Sequence, residues 1–240
     1  MEKTILTDKP LCIIPARGSS KRLPRKNIAL LAGKPLLGYA IEVAIASNVF
    51  DRVCVSSEDE EILEIASLYG ADLPLKRPQE LSTDRAQVKQ VCAHLLEEFA
   101  TKGNPYQEFA LLLATSPLRT AEDIKAAYKI FKNGDGNYVM SLIPCEHPPQ
   151  RAVWEPDGYV KPYWGSGYMK QTQLLDKLYR HDGSIFFAKS EVFLTEKSFY
   201  GTKVMPYFIP VERSVDIDTP LDLAWAEFLL SHYNYHKKQV

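Results

Sequence analysis

Two hydrophobic periodicities alternate along this chain. Residues 11–16 form a short continuous apolar run, the pattern of a strand covered on both faces, and a polar loop containing Gly18 follows it. From Leu36 onward the apolar positions Leu36, Leu37, Ala40, Ile41, Ala44 and Ile45 recur at helical spacing, with Pro35 suited to the first turn and an end near Ser47 and Asn48. The same reading predicts a strand at 52–56, a Glu-rich helix over 59–69 closed by Gly70, a short strand at 72–76 and a helix over 84–101. A buried strand at 109–114, a helix over 121–131 and a strand at 138–144 follow. Such alternation predicts an α/β fold, a mostly parallel sheet flanked by helices in a Rossmann-like three-layer arrangement.

The pattern then breaks. Between Cys145 and Arg180 the chain is rich in Pro, Gly, Trp and Tyr, with a turn signal at Glu155-Pro-Asp-Gly158 between short extended segments. A stretch of this kind rarely folds alone, so residues 145–182 are expected to be an inserted arm that packs on a partner subunit, against the alternative of a long surface loop. Strands resume at 184–188 and 203–209. A last helix begins after Thr219, which together with Pro220 and Asp222 makes a capping-box-like start. The whole, 1–240, reads as one domain carrying the arm, with low order expected after about His232.

Composition narrows the function. Lys and Arg total 29 against 30 Asp and Glu, a formal net charge of −1, so no global field favours nucleic acid or an anionic membrane and any anion binding must be local. Cys12, Cys54, Cys92 and Cys145 are scattered without a CxxC pair and read as reduced core residues rather than zinc ligands or disulfides. The first apolar run is too short for a signal peptide, and no run reaches membrane-spanning length, so a soluble cytoplasmic protein is expected.

The local anion site is the loop after the first strand. It gathers Arg17, Lys21, Arg22, Arg25 and Lys26 with Gly18, Ser19, Ser20 and Asn27, at the carboxyl end of a parallel strand, where α/β folds place ligands. Gly18 permits a close backbone turn, and several cations offset a triphosphate. The loop is neither a Walker A motif nor a GxGxxG fingerprint. Asp216 and Asp218 lie two apart and share one face of an extended segment; paired oxygen donors beside a phosphate substrate suit Mg²⁺, although Asp218 also precedes a helix N-terminus and favours it. Arg77 and the segment Thr115-Ser-Pro-Leu-Arg119 follow predicted strands and are well placed for a pocket. The five histidines show no metal-ligand spacing.

Taken in order, Ile14-Pro-Ala-Arg-Gly-Ser-Ser-Lys-Arg-Leu-Pro-Arg-Lys-Asn27, Gly33-Lys-Pro35, Leu75-Lys-Arg-Pro78, Thr115-Ser-Pro-Leu-Arg119 and Ser214-Val-Asp-Ile-Asp-Thr-Pro-Leu-Asp222 resemble the acylneuraminate cytidylyltransferases, the CMP-sialic acid synthetases and their pseudaminic and legionaminic acid relatives. The resemblance covers nearly the whole chain and implies a nucleotide-diphospho-sugar transferase-like fold. It implies that the anomeric hydroxyl of a nine-carbon α-keto acid sugar attacks the α-phosphate of CTP, releasing pyrophosphate. It further implies that Arg17, Gly18, Ser19, Lys21, Lys26, Asn27 and Arg77 bind CTP, that Asp216 and Asp218 hold Mg²⁺, and that Arg17, Lys26 and Asp218 carry the catalysis. A homodimer is implied too, in which residues 148–179 reach the neighbouring subunit's sugar pocket.

Departures from the family pattern fall on the sugar side, expected at Leu113, Thr115, Gln173, Phe186 and Tyr200. Leu113-Ala-Thr-Ser-Pro117 stands where sialic acid synthetases carry Gln-Pro-Thr-Ser-Pro, Thr172-Gln-Leu-Leu-Asp176 where they carry Arg-Gln-Asp-Leu-Pro, and Asp182-Gly-Ser-Ile-Phe186 where they carry Asn-Gly-Ala-Ile-Tyr. Ala114-Thr115 before Ser116-Pro117, with Gln150-Arg-Ala152, leans toward the pseudaminic-type branch, and the changes together argue against N-acetylneuraminate. Two alternatives stand beside this reading. One is a 3-deoxy-manno-octulosonate or sugar-phosphate nucleotidyltransferase; the other is a non-catalytic nucleotide-binding regulator, against which both candidate metal carboxylates speak.

Overall fold

The computed structural model describes residues 8–83, 85–166 and 170–233. Strand β1 (Leu11–Pro15) is followed by a two-strand hairpin, β2 (Leu30–Leu31) and β3 (Lys34–Pro35), then α1 (Leu36–Ser47), β4 (Arg52–Ser57), α2 (Glu60–Leu68), β5 (Leu73–Lys76) and α3 (Val88–Thr101). Next come β6 (Glu108–Leu111), α4 (Ala121–Asn133), β7 (Tyr138–Pro144), the short arm strands β8 (Val153–Trp154) and β9 (Lys161–Pro162), β10 (Tyr179–Lys189), α5 (Ser190–Glu196), β11 (Val204–Phe208) and α6 (Pro220–Tyr233). Seven strands make one sheet in the order β11-β7-β10-β6-β1-β4-β5. Its pairings are parallel except where β10 runs antiparallel to both β6 and β7.

Alternation along β1 explains the layers. Cys12 and Ile14 face a core shared with α1, α2 and α4, while Leu11 and Ile13 face a second core with α3 and α5. Both faces of the strand are covered, so its apolar run is continuous rather than alternating. A third, smaller cluster joins Leu31 of the β2–β3 hairpin to Leu36, Ile217, Ala226 and Leu229, seating α6 against the start of α1. The hairpin turn places Ala32 (φ 47) and Gly33 (φ 81) in the left-handed region, as a two-residue turn between twisted strands requires.

Helix ends follow the residues expected to set them. Asp59 accepts a hydrogen bond from the Ile62 amide at the start of α2, Asn48 closes α1 in the left-handed conformation, and Thr219 and Asp222 exchange capping hydrogen bonds at α6. The helix expected over 84–101 starts later, at Val88, where Gln87 and Gln90 form a capping box. Asp84 lies outside the described residues, as do the tail from residue 234 and arm residues 167–169.

Further features differ from the sequence reading: the strand expected over 109–114 ends at Leu111, and two more stand out. Strand β10 begins at Tyr179, five residues before the expected start at Ser184, because its polar first half pairs with the end of β7 beyond the layer covered by helices. The seven-residue helix α5 was not anticipated at all. Since no α-helix among the described residues crosses between β7 and β10, the chain returns from the arm antiparallel, the orientation a direct return produces. In the arm, β8 and β9 pair antiparallel around a turn in which Gly158 (φ 85) donates its amide to Glu155. Three of the four cysteines, Cys12, Cys54 and Cys92, are buried, and all four are free.

Candidate active site

The carboxyl ends of β1, β4, β5 and β6 converge on a cleft of about 270 Å³ whose lining includes Arg17, Lys26, Asn27, Arg77, Leu113 and Thr115. Three cations from two segments, the basic loop and the end of β5, therefore face one space. Arg77 is buried, its guanidinium held by the Ser56 hydroxyl and carbonyl, both neutral acceptors. Burial lowers its pKa from the ordinary arginine value while the nearby Glu58 opposes that shift. An arginine so placed is desolvated without neutralisation, and an anion entering the cleft would supply the missing counter-charge.

The basic loop is shaped from outside itself. The buried Asn27 side chain donates to the Arg17 carbonyl (2.9 Å), and the Gly18 amide donates to Glu58 (2.8 Å). At position 18 a Cβ would lie 2.4 Å from the Asp59 carboxylate, so glycine is needed for close approach. Arg25 adopts the left-handed conformation (φ 55) and turns away from the cleft to pair with Asp59 and with Glu61 (2.5 Å). Hydrogen bonding to Arg25 holds the Asp59 carboxyl below its usual range and raises Arg25 in turn.

Beside the cleft the segment 214–218 lies against two of its lining residues, Thr115 and Lys26. Ile217 is fully buried and donates its amide to the Thr115 carbonyl (2.8 Å), so Asp216 and Asp218 on either side of it are turned outward together. Asp218 meets Lys26 (2.6 Å) and Arg22 (2.7 Å). Asp216 accepts a hydrogen bond from Thr115; although its own surface stays open to solvent, the protein packed around it and the neighbouring Asp218 charge raise its pKa. Two carboxylates of like charge thus sit beside the cations of the loop.

The family whose description is Cytidylyltransferase matches residues 11–238. The chain belongs to the cytidylyltransferase family. A pseudaminic acid cytidylyltransferase of Campylobacter jejuni subsp. jejuni serotype O:2 is 37% identical, over 92% of this chain and 96% of that protein. A CMP-N,N'-diacetyllegionaminic acid synthase of Legionella pneumophila subsp. pneumophila is 35% identical over 92% of this chain and 95% of that protein. The structure of a CMP:2-keto-3-deoxy-manno-octonic acid synthetase complexed with CTP superposes with a TM-score of 0.68 at 14% identity, covering 94% of this chain and all of that one, which shows the shared fold.

Within this cytidylyltransferase, the residues expected to meet CTP are not all in one place. Arg17, Lys26, Asn27 and Arg77 line the cleft, and Asn27 also braces the loop. Gly18 contacts the Glu58–Asp59 turn, whereas Ser19 and Lys21 stand exposed on the outer part of the loop. On the sugar side, Leu113 and Thr115 reach the cleft, and Phe186 and Tyr200 line an adjoining cavity together with Leu113. Gln173 lies on the exposed arm, donating to Gln171 (2.5 Å), apart from the other four within the chain.

Sequence reasoning missed the group that holds the acidic segment. Arg213, immediately before Ser214, forks onto the buried Asp123 with Nε (2.9 Å) and Nη2 (2.7 Å), and Asp123 also accepts from the Tyr207 hydroxyl (2.7 Å) and the Thr120 amide (2.8 Å). Asp123 reads locally as a helix-cap partner of Thr120, and nothing in sequence spacing links it to an arginine 90 residues on.

Burial alone would push the Asp123 carboxyl up, but its hydrogen bonds from Arg213, Tyr207 and Thr120 outweigh burial and hold it below the usual carboxylate range. The ion pair therefore stabilises the fold above about pH 4 and loses that contribution as pH falls through the lowered value. Replacing one member of a buried pair strands the other, so Asp123→Asn should cost about 3–5 kcal/mol at neutral pH. Urea unfolding at pH 7 and pH 3 checks this: the gap between wild type and variant should narrow at pH 3. A gap unchanged with pH would exclude the ion pair as its source.

Proposed function

We propose that this cytidylyltransferase transfers CMP from CTP to the anomeric hydroxyl of a nonulosonic acid, a nine-carbon α-keto acid sugar. The observation that carries the reading is the convergence of Arg17, Lys26 and Arg77 on one cleft, with Lys26 also in contact with Asp218 although the two are 192 residues apart in sequence. The sugars named for the two relatives, both nonulosonic acids, support that choice of acceptor. In the reaction the sugar hydroxyl oxygen forms a bond to the α-phosphorus, the bond between the α- and β-phosphates breaks, pyrophosphate leaves and the hydroxyl proton is released.

Transfers of this kind require positioning and charge neutralisation more than covalent participation by the protein. In this reading Arg17 and Arg77 hold the triphosphate, and Lys26 shifts from Asp218 toward the phosphates as they arrive. Thr115 fixes the Asp216 carboxylate through its hydroxyl. The donor set fits Mg²⁺. Two carboxylates, Asp216 and Asp218, stand together beside Lys26, an oxygen donor set suited to a cation that takes one or two carboxylates and completes its shell with waters and substrate phosphates. Bound there, Mg²⁺ would neutralise phosphate charge and polarise the α-phosphate. The cationic groups of Lys26 and Arg22 occupy the Asp218 oxygens in the present arrangement.

The arm supports a homodimer as part of the same proposal. Trp154, Tyr159, Val160, Tyr163 and Trp164 are all at least half exposed, an apolar surface larger in character than scattered single residues. No helix among the described residues is long and apolar enough to cross a membrane.

With purified protein, CTP and a panel of nonulosonic acids, pyrophosphate release should depend on both Mg²⁺ and the sugar, and Asp218→Ala should lower kcat by about 10²-fold or more while CTP affinity changes far less. Equal loss of turnover and CTP binding would remove the metal role from Asp218. Turnover of 3-deoxy-manno-octulosonate alone would replace the acceptor, and CTP binding without turnover of any sugar would favour a regulator. In sedimentation experiments the protein should be a dimer at micromolar concentration, and the double variant Tyr163→Asp/Trp164→Asp should become monomeric with its melting temperature little changed; a monomeric wild type would remove the arm from assembly.

A further inference from the structure

Both carboxylate oxygens of Asp218 are engaged by cations of the basic loop. Lys26 meets Oδ1 at 2.6 Å and Arg22 meets Oδ2 at 2.7 Å. The Lys26 and Asp218 side chains are only 18% and 28% exposed, so water and salt screen their contact weakly, whereas Arg22 is 67% exposed. Asp216 is held differently: it accepts a hydrogen bond from Thr115 and feels the Asp218 charge. In this arrangement the protein neutralises one carboxylate of its acidic pair with its own side chains.

The groups around these contacts decide which of them can move. Arg25 is drawn outward by Asp59 and Glu61, and Asn27 is tied to the Arg17 carbonyl, so the chain on both sides of Lys26 is anchored. The Lys26 ammonium, by contrast, sits at the end of a flexible stem and lines the nucleotide cleft as well as meeting Asp218. Arg22 has a second acidic neighbour, because its charge also acts on Asp222, whose carboxylate caps α6. Each cation can therefore leave Asp218 for another anion without the loop refolding, Lys26 for a phosphate and Arg22 for Asp222.

Resting on the reading that Asp216 and Asp218 hold Mg²⁺, we propose that Arg22 and Lys26 are resident counter-ions that close Asp218 to divalent cations until a triphosphate draws Lys26 away. Arg22 acts through Asp218 as a positioning residue and does not itself meet substrate. A carboxylate shared by two cations has little attraction left for a third. When Lys26 turns to the phosphates, Asp218 regains its charge just as phosphate oxygens stand ready to complete a metal shell. By linkage the metal tightens nucleotide binding by the same factor as the nucleotide tightens metal binding. The return of Lys26 to Asp218 after transfer then favours departure of the metal with pyrophosphate.

The test is Mn²⁺ binding to metal-stripped protein without nucleotide, followed through the electron paramagnetic resonance of the free ion, since Mn²⁺ suits the same oxygen ligands as Mg²⁺. Wild type should bind about 10-fold more weakly than the double variant Arg22→Met/Lys26→Met, and adding Asp218→Asn to that variant should remove the gain. Arg22→Met alone should gain several-fold, and it carries the test if the double variant does not fold. Equal affinity in wild type and Arg22→Met, or a gain that survives Asp218→Asn, would overturn the proposal. The metal reading on which it rests falls separately, if pyrophosphate release by the wild type proves independent of Mg²⁺.

Discussion

Five cations within ten residues repel one another, and the loop from Arg17 to Lys26 keeps its shape because acidic groups on two distant elements divide that charge. Arg25 is drawn outward by Asp59 and Glu61 at the start of α2, and Lys26 and Arg22 are drawn across by Asp218 before α6. Glu58 meanwhile holds the Gly18 amide. The loop is stretched between these anchors, and Arg17 and Lys26 face the cleft as a result. A left-handed Arg25 is a strained conformation for a residue with a Cβ, and its two carboxylate partners offset that cost. Charge that would destabilise a free loop becomes the means of fixing it.

The sheet order places those anchors. Because β1 lies between β4 and β6, the loop that follows it is flanked by the β4–α2 turn on one side and by Thr115 after β6 on the other. The acidic segment is reached from β11 at the far edge, and it arrives beside Thr115 through two tethers, the Ile217 amide to the Thr115 carbonyl and the Arg213 fork onto Asp123. The antiparallel β10 brings its irregular Asp182–Ser184 turn to the same edge as the carboxyl ends of its parallel neighbours. A parallel strand in that position would have turned those residues to the opposite end of the sheet.

Much of this was legible because local and global signals agree. The doubly covered run at β1, the helical spacing in α1 and the Thr219–Asp222 cap each belong to one period or one motif, and each element forms where its pattern lies. The early start of β10 and the presence of α5 were hidden for the opposite reason. Tyr179-Arg-His-Asp-Gly183 is polar because it pairs beyond the covered layer, and seven residues are too few to show a helical period. At the site, the Arg17–Asn27 loop and the Asp216–Asp218 pair were readable as charges, but not the division of labour inside the loop. Whether a given cation faces ligand or protein depends on partners 34 to 192 residues away, which no local pattern encodes.

Arg77 and Arg119 show why the region around the cleft is held so firmly. Both guanidiniums are buried against carbonyl and hydroxyl oxygens, and desolvation lowers both pKa values, that of Arg119 to about 10. A lysine in such surroundings would readily give up its proton, whereas arginine stays charged at neutral pH. For Arg119 the nearby Asp182 and Asp123 charges offset part of the cost, and the residue serves as a bridge between β10 and the loop after β6. Arg77 opens onto the cleft, with Glu58 near but no carboxylate in its guanidinium hydrogen bonds to Ser56. Much of its desolvation is already met before a phosphate arrives, so the phosphate gains a strong partner with less water to strip from it. The same burial that costs stability is what makes that position selective for an anion.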